Sequence, residues 1–160
     1  MDAADATLLL RLAALNTAYG STIDRDALED WPDFFTENSF YRITTAANHA
    51  RGLAAGVVYA DSRDMLHDRV FALRRANIYE RQAYRHVIGM PAILGHEADG
   101  SLRAEAPFLV VRTMRDGTMS LFAAGRYLDR LVEREGRLLF AAREVICDSP
   151  NFDTLLAIPL

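Results

Sequence analysis

The residues of this sequence that could most readily do chemistry are Asp64, His67 and Asp68. Their spacing predicts that all three lie on one face of a helix, where two carboxylates and an imidazole could bind a divalent metal ion. A second histidine, His49 or His86, would complete a two-histidine, one-carboxylate site. Acidic residues in the first turn of a helix also complement the helix dipole, so a solvated helix face explains the same pattern and is the interpretation we favour.

His86 offers a second possibility because it follows Tyr84 and Arg85 at the start of a predicted strand. If its side chain points inward, it could act as a general base with Asp64 or Asp68, as in a cofactor-free isomerase or dehydratase. A structural histidine with satisfied hydrogen bonds is the more common case for a strand position. A small-ligand binding module of the same fold is a further alternative.

The single cysteine, Cys147, limits the chemistry further. One thiol forms no internal disulfide, and the sequence has no CxxC or Cys/His cluster for zinc or an iron–sulfur cluster. No histidine neighbours Cys147 in sequence to activate it, so we expect an inert buried thiol. Nucleotide-binding glycine loops, GxSxG and HExxH are also missing from the sequence. The sequence therefore gives only a weak signal for catalysis.

The composition is that of an ordinary globular chain, with 160 residues of which 51% are hydrophobic and 25% charged. This length favours one domain over residues 1–160, with a core that needs no disulfide. The formal charge is −4 at pH 7 and no polybasic run is present, which argues against a nucleic-acid partner. The sequence shows neither a signal peptide nor a membrane-spanning stretch, so we expect a cytoplasmic protein.

Three helices are predicted in the first half of the chain. Leucines at helical spacing predict the first over residues 4–20, with Gly20 as its end. Asp24 could cap a short second helix that stops at Trp31-Pro32, because proline disfavours helical backbone in the preceding residue. The third begins after a cap at residue 61 or 62 and runs to about residue 77. Its predicted buried stripe is Leu66, Val70 and Leu73.

Strands account for most of the remaining chain. Short runs at 40–45 and 57–59 have strand composition, and four longer runs follow the third helix. Asp116-Gly117 and Glu135-Gly136 mark turns between the longer runs, which therefore form an antiparallel meander. The four runs are 84–90, 107–114, 119–132 and 138–148. This order indicates an α+β fold, with N-terminal helices packed on one face of a curved antiparallel sheet.

A set of segments along the whole chain resembles a known family. The most telling is Met65-Leu66-His67-Asp68-Arg69, followed at the end of the same predicted helix by Leu73-Arg74. Further segments are Trp31–Glu37, Asn48–Gly56, Arg85-His86, Gly125–Asp129 and Asp153–Leu160. Together they resemble the small (β) subunit of aromatic-ring-hydroxylating dioxygenases. Within that family, Ala76–Arg81 and Asn48–Ala50 are most similar to members that oxidise terephthalate, an aromatic dicarboxylic acid.

The resemblance implies a cone of the nuclear-transport-factor-2-like (cystatin-like) kind and a structural, non-catalytic role. It implies that the chain contains no catalytic, cofactor-binding or metal-binding residue, so Asp64, His67 and His86 inherit no such role. It implies a larger α subunit as partner in an α3β3 hexamer. The α subunit would hold the Rieske [2Fe–2S] cluster and a mononuclear Fe(II), and NAD(P)H would supply electrons through a separate, transiently bound reductase. The reaction would be O2-dependent cis-dihydroxylation. The one cysteine agrees with this division, because a Rieske centre needs two cysteines and two histidines.

A subunit of this kind needs a surface that binds its partner. Aromatic residues are enriched at the centres of protein interfaces, although they are equally common in cores. The aromatic candidates for the interface are Phe34, Phe35, Phe40, Tyr41, Tyr79 and Tyr84. We also expect the apolar tail, residues 151–160, to be ordered in the core or in an interface.

Overall fold

The computed structural model of the chain describes residues 3–75, 81–151 and 156–160. The described part is an α+β cone in which the helices cover one face of a curved sheet. The helices are α1 (Ala3–Asp24), a 3-10 helix (Leu28–Phe34), α2 (Ala46–Ala50) and α3 (Arg63–Arg75). The strands are β1 (Phe35–Thr45), β2 (Val58–Ala60), β3 (Gln82–Ile88), β4 (Ala92–His96), β5 (Leu102–Met114), β6 (Met119–Arg134) and β7 (Arg137–Cys147).

Helix α1 is longer than predicted, because Gly20 does not end it. The helix continues to Asp24, and Gly20 is buried against strand β3. A Cβ atom at this position would lie 2.9 Å from the Cβ of His86. The glycine therefore permits a close helix-to-strand approach and has no role as a helix end.

The short second helix forms, but as a 3-10 helix that starts later than predicted. It spans Leu28–Phe34 and contains Pro32, which the sequence analysis placed at its end. Trp31 is fully buried in this turn, and its ring makes edge contacts with Phe35 and Tyr41. Core burial of Trp31 and Pro32 thus outweighs the weak helical propensity of the segment.

Helix α3 agrees with its prediction in both its start and its buried face. The hydroxyl oxygen of Ser62 accepts a hydrogen bond from the backbone N–H of Met65 at 3.2 Å, as an N-cap does. The predicted stripe of Leu66, Val70 and Leu73 is buried. The stretch predicted beyond residue 75 lies outside the described residues.

The sheet contains the predicted meander, in the order β2-β1-β7-β6-β5-β3, with β4 paired to β5. Pairs β5–β6 and β6–β7 are antiparallel, and the turn glycines Gly117 and Gly136 adopt positive φ angles of 87° and 75°. Four features differ from the prediction. Strand β1 pairs with β7 in parallel, and it begins at Phe35, with a register shift between Phe35 and Phe40. Strand β4 and helix α2 were not predicted.

The core lies between the helices and the concave face of the sheet, and it is rich in aromatic rings. Tyr19 contacts the rings of Phe35, Tyr127 and Phe140 with centroid separations between 5.7 and 6.3 Å. Residues 156–160, from the tail, are also buried here. Among the described residues, no helix combines the length and the apolar composition that crossing a bilayer requires.

Stability should fall in alkaline solution, because burial raises the pKa of Tyr19 and raises the pKa values of Tyr41 and Tyr127 well above 10.0. Tyrosines of the unfolded chain ionise near pH 10. Above that pH the unfolded state binds fewer protons than the folded state, so the free energy of unfolding decreases as pH rises. We expect a loss of up to about 4 kcal/mol per pH unit from the three phenols.

Urea denaturation between neutral pH and pH ~11 measures this loss. Tyr127→Phe is the matched variant, since the Tyr127 hydroxyl has no hydrogen-bond partner among the described residues. It should reduce the alkaline slope by about one third. An unchanged slope would show that Tyr127 is not protected from ionisation by its burial.

Candidate functional site

The three residues considered first for metal binding lie on the exposed side of α3. Asp64, His67 and Asp68 are all exposed, as a solvated helix face requires. His49 lies elsewhere, on α2, with its Nδ1 3.7 Å from Glu144. Across residues 3–75, 81–151 and 156–160, no group of three or more His, Cys, Asp or Glu side chains could hold a metal ion.

His86 points into the cone, but its acidic partner differs from those predicted. Its Nδ1 lies 2.6 Å from Oδ1 of Asp24, and its backbone N–H donates to Oδ2 of Asp24 at 2.8 Å. Asp64 and Asp68 lie on α3 and do not supply this carboxylate. The side chains of His86 and Asp24 are 1% and 5% exposed. The pair therefore joins the end of α1 to β3, and Nε2 of His86 has no partner among the described residues.

Cys147 is buried at the end of β7. Burial raises the pKa of its thiol to about 12, and the nearby carboxylate of Asp148 adds to the rise. A thiol with this pKa is protonated at neutral pH and is a poor nucleophile.

The aromatic interface candidates divide into core and surface residues. Phe35, Tyr41 and Tyr84 are 0%, 0% and 4% exposed within the chain, so they belong to its core and are not accessible to a partner. Phe34 is half-buried and packs against that core. Tyr79 lies outside the described residues. Phe40 is also half-buried, and its ring lies 5.4 Å, centroid to centroid, from the ring of Tyr59, which is 49% exposed.

Four apolar residues lie on β1, on β2 and in the loop that precedes β2, and we call them the loop patch. It consists of Phe40, Leu53, Val57 and Tyr59. Leu53, Val57 and Tyr59 are 39%, 51% and 49% exposed, which is unusual for large apolar residues. The patch lies at the edge of the sheet where β1 pairs with β2.

Arg42 binds the backbone of the loop that carries part of the loop patch. Its guanidinium donates to the backbone carbonyls of Leu53 and Ala54 at 2.7 and 3.1 Å and also pairs with Glu144. The same guanidinium lies 5.9 Å from the centroid of the Phe40 ring. These bonds hold the loop backbone at Leu53 and Ala54 in the isolated chain, and a segment that is ordered before binding pays a lower entropy cost when it binds.

A second apolar surface lies on the convex side of the sheet, and we call it the outer-face patch. It consists of Val87, Leu109, Val111, Met119 and Leu121. Cross-strand register places Val87 beside Leu109 and Val111 beside Leu121. Met119 and Leu121 are each 67% exposed. The helices cover the opposite side of the sheet, so this surface has no cover within the described chain.

A buried ion pair at the centre of the cone was not anticipated from the sequence. Nε and Nη2 of Arg143 each donate to the carboxylate of Asp129 at 2.8 Å, and Arg143 is 0% exposed. Its guanidinium also lies about 4 Å from the ring centroids of Tyr19, Tyr127 and Phe140. Burial alone would lower the pKa of Arg143, but the facing carboxylate of Asp129 raises it above its ordinary value.

The sequence contains one signal for this ion pair. Asp129 and Arg143 occupy paired positions across the β6–β7 hairpin, whose turn at Glu135-Gly136 is recognisable from sequence. Counting back from the turn without a register shift would pair Asp129 with Ala142 and place Arg143 on the opposite face. The register shift between Arg130 and Leu131 makes that count unreliable without the structure.

Comparison with known proteins shows which protein family this chain is similar to. The family model described as "Ring hydroxylating beta subunit" matches residues 20–153. The chain is 50% identical over 151 residues to the terephthalate 1,2-dioxygenase terminal oxygenase component subunit beta 1 of Comamonas sp., covering 94% of this chain and 97% of that protein. It is 39% identical over 146 residues to the anthranilate 1,2-dioxygenase small subunit of Burkholderia cepacia, covering 91% and 90% of the two chains.

A solved structure agrees over almost the full length. It is a β subunit of the aromatic-ring-hydroxylating dioxygenase class from Novosphingobium aromaticivorans DSM 12444, with 38% sequence identity and a TM-score of 0.89. The alignment covers 98% of this chain and 99% of that one. These matches confirm the expected nuclear-transport-factor-2-like fold and the family resemblance. The chain belongs to the β-subunit family of the aromatic-ring-hydroxylating dioxygenases and is the non-catalytic subunit of such an oxidoreductase.

Proposed function

We propose that this chain is the structural β subunit of an oxygenase that cis-dihydroxylates terephthalate, in an α3β3 hexamer. The observation that carries the proposal is 50% identity, over nearly the whole chain, to the β subunits of terephthalate 1,2-dioxygenase. The α subunit would contain the Rieske [2Fe–2S] cluster and the mononuclear Fe(II). A separate reductase would deliver electrons from NAD(P)H.

The donor set of this chain does not fit either iron group. A Rieske centre needs two cysteine and two histidine ligands. This chain has one cysteine, whose buried thiol has a pKa of about 12. His86 is committed to Asp24, and His49 lies against Glu144 on a different part of the surface. Electron transfer and oxygen activation are therefore assigned to the partner, and no reaction step is assigned to this chain.

We assign the contact with the α subunit to the loop patch. Phe40 and Tyr59 form an aromatic pair in which Tyr59 is exposed and Phe40 is half-buried, and aromatic residues contribute much of the binding energy at interfaces. Arg42 fixes the loop that presents Leu53 and Val57, so the patch is ready to bind. A partner that covered these four side chains would remove them from water and gain hydrophobic free energy.

Two further expectations belong to this proposal. Residues 1–160 act as one domain, which predicts a single cooperative unfolding transition for the isolated chain. The complex works in the cytoplasm, where NAD(P)H is available to the reductase. Cell fractionation with the α subunit as a second marker tests the location.

The substrate is tested by oxygen uptake with the purified oxygenase, its reductase and NADH or NADPH. Terephthalate should give uptake and a cis-dihydrodiol product, while anthranilate and benzoate should give much slower uptake. Faster turnover of either monocarboxylate would overturn the choice of terephthalate and leave the β-subunit assignment intact. The substrate and the β-subunit assignment are tested separately, because the composition of the complex is measured independently of its turnover.

A second candidate function rests on the His86–Asp24 pair. A buried carboxylate that orients an imidazole, with the opposite ring nitrogen unpartnered among the described residues, is an arrangement used for proton transfer. This chain could then act alone as an isomerase or dehydratase.

His86→Gln distinguishes the two functions. If the chain is a structural subunit, the assembled oxygenase with His86→Gln should retain its iron content, its visible spectrum and its turnover within about two-fold. If the chain is itself an enzyme, the purified chain should convert a substrate without partners, and His86→Gln should abolish that activity. The measurement is iron content and turnover of the assembled variant beside activity of the isolated chain.

A further inference from the structure

The sheet is irregular on both sides of Ala141, a residue of β7. The pairing of β1 with β7 shifts between Phe35 and Phe40, so the four β1 residues between them stand opposite Ala141 alone. The pairing of β6 with β7 shifts between Arg130 and Leu131, and Ala141 again has no partner in the described register. Irregularities of this kind bend a strand and redirect its side chains, and they are common beside functional sites.

A cleft opens at this irregular part of the sheet. Its volume is about 510 Å³, which lies in the range of small-molecule binding sites. Ala141 lines the cleft together with Val132 and Leu139, which are apolar and only partly exposed. Thr36 and Asn38, from the irregular part of β1, also line it. The cleft therefore offers an apolar surface with polar groups beside it.

The charged residues that line the cleft are mostly cations. Three are arginines, namely Arg63 at the start of α3 and Arg130 and Arg134 on β6. Two are acids, Glu37 and Asp99. The cleft therefore has an excess of positive charge, although the chain as a whole has a formal charge of −4. An excess of this kind attracts an anionic ligand.

The two acids of the cleft hold its arginines only loosely. Nη2 of Arg63 lies 3.5 Å from Oε1 of Glu37, whose side chain is 83% exposed. Nη1 of Arg130 lies 3.4 Å from Oδ2 of Asp99, whereas strong hydrogen bonds between such groups are about 2.7–2.9 Å long. Arg134 pairs with no carboxylate of the described chain, and it donates to a backbone carbonyl of β6 at 3.1 Å. Because a guanidinium has five N–H donors, all three groups retain donors for an added anion.

A carboxylate suits these donors, because the planar guanidinium group matches the geometry of two carboxylate oxygens. The apolar residues of the cleft favour a ligand with a hydrocarbon part over a fully hydrated inorganic anion. Strand β7 lies between β1 and β6 in the sheet. Arg63, beside Glu37 of β1, therefore stands across the cleft from Arg130 and Arg134 of β6. A ligand with a carboxylate at each end meets a cation on each side.

We propose that this cleft binds a small organic dicarboxylate with an apolar body, such as an aromatic dicarboxylate. One carboxylate binds Arg63, and the other binds Arg130 and Arg134. The hydrocarbon part of the ligand lies against Val132 and Leu139. Because the cleft is formed by this chain alone, the binding goes beyond the structural role proposed above and occurs whichever aromatic acid the oxygenase oxidises.

Isothermal titration calorimetry of the isolated full chain with terephthalate, at low ionic strength, tests this site. We expect saturable binding of one terephthalate per chain. Arg134→Gln should weaken the binding by about 10-fold, because a hydrogen bond between charged groups is lost. Benzoate, which lacks the second carboxylate, should bind about 10-fold more weakly than terephthalate for the same reason. Sulfate, which has two charges but no hydrocarbon part, should also bind more weakly than terephthalate.

Arg85→Gln is the matched control, because Arg85 is exposed on β3 and does not line the cleft. It removes the same charge as Arg134→Gln, and the affinity for terephthalate should stay within about two-fold of that of the unaltered chain. Both variants should stay folded, since both side chains are exposed. The proposal is overturned if the unaltered chain shows no saturable binding of terephthalate, if the two variants weaken it equally, or if benzoate or sulfate binds as tightly. All of these results are obtained without the α subunit, so none of them changes the β-subunit assignment.

Discussion

Replacing Asp129 with asparagine should lower the free energy of unfolding by about 3–5 kcal/mol. The change keeps the shape of the side chain but removes the charge that faces Arg143. Arg143 is 0% exposed and has its Nε and Nη2 on the Asp129 carboxylate, so its charge would remain buried without a counterion. The three surrounding aromatic rings offset only part of that cost. Urea denaturation of the isolated chain measures the loss.

Glu97→Gln is the matched control, because Glu97 forms an ion pair with Arg103 in which both side chains are about half exposed. Surface pairs of this kind contribute about 0–1 kcal/mol, so the control should unfold almost as the unaltered chain does. Asp129→Leu combined with Arg143→Met should regain much of the lost stability, because both charges are then absent. Equal losses from Asp129→Asn and Glu97→Gln would contradict the account of the buried pair.

Replacing Tyr59 with aspartate should prevent stable assembly with the α subunit while the isolated chain stays folded. Tyr59 is 49% exposed in the isolated chain and forms an aromatic pair with Phe40. A charge buried in an apolar interface lacks a partner, and hot-spot residues contribute 2 kcal/mol or more. We therefore expect an affinity loss of at least about 30-fold. Co-purification of tagged β with α, followed by size-exclusion chromatography, measures it.

Leu121→Asp provides the comparison within the same chain. Leu121 is 67% exposed in the outer-face patch, so the substitution has the same chemistry at a different apolar surface. Thermal unfolding of each isolated variant should stay close to that of the unaltered chain, since both sites are exposed. If Leu121→Asp releases the α subunit and Tyr59→Asp does not, the loop patch is the wrong surface.

Helices and turns whose signals lie within one short segment could be predicted from the sequence. The Ser62 cap and the stripe of Leu66, Val70 and Leu73 define α3 within a few residues, and both are present in the structure. The glycines of the two hairpin turns define the meander because their backbone requires positive φ. These features depend on residues within a turn or two of one another.

Features that depend on distant contacts were harder to predict. Gly20 is the residue type that often ends a helix. Its place in the structure is instead set by contact with β3, which follows about sixty residues later and leaves no room for a Cβ atom. The packing of α1 against β3 also pairs His86 with Asp24, whereas the sequence analysis proposed Asp64 or Asp68, which are closer to His86 in sequence. Strand β1 joins β7 in parallel across most of the chain, and no local pattern specifies that pairing.

The candidate interface residues also show that local sequence predicts some features and distant contacts decide others. Phe40 was selected as an aromatic residue and is half-buried beside the exposed Tyr59, while Phe35, Tyr41 and Tyr84 were selected in the same way and are core residues. Composition does not separate these cases, because strand pairing decides which side chains face the helices. The family resemblance, in contrast, was readable from short segments and is confirmed along nearly the whole chain.

Native mass spectrometry of the tagged chain isolated from its own cells, with iron quantified on the same sample, shows whether the chain is the β subunit of an iron-containing oxygenase. The account predicts a complex of three copies of this chain and three copies of a larger subunit, with iron bound. Isolated tagged β expressed without α should carry no stoichiometric iron. An iron-free assembly made of this chain alone, from cells that contain the α subunit, would contradict the account.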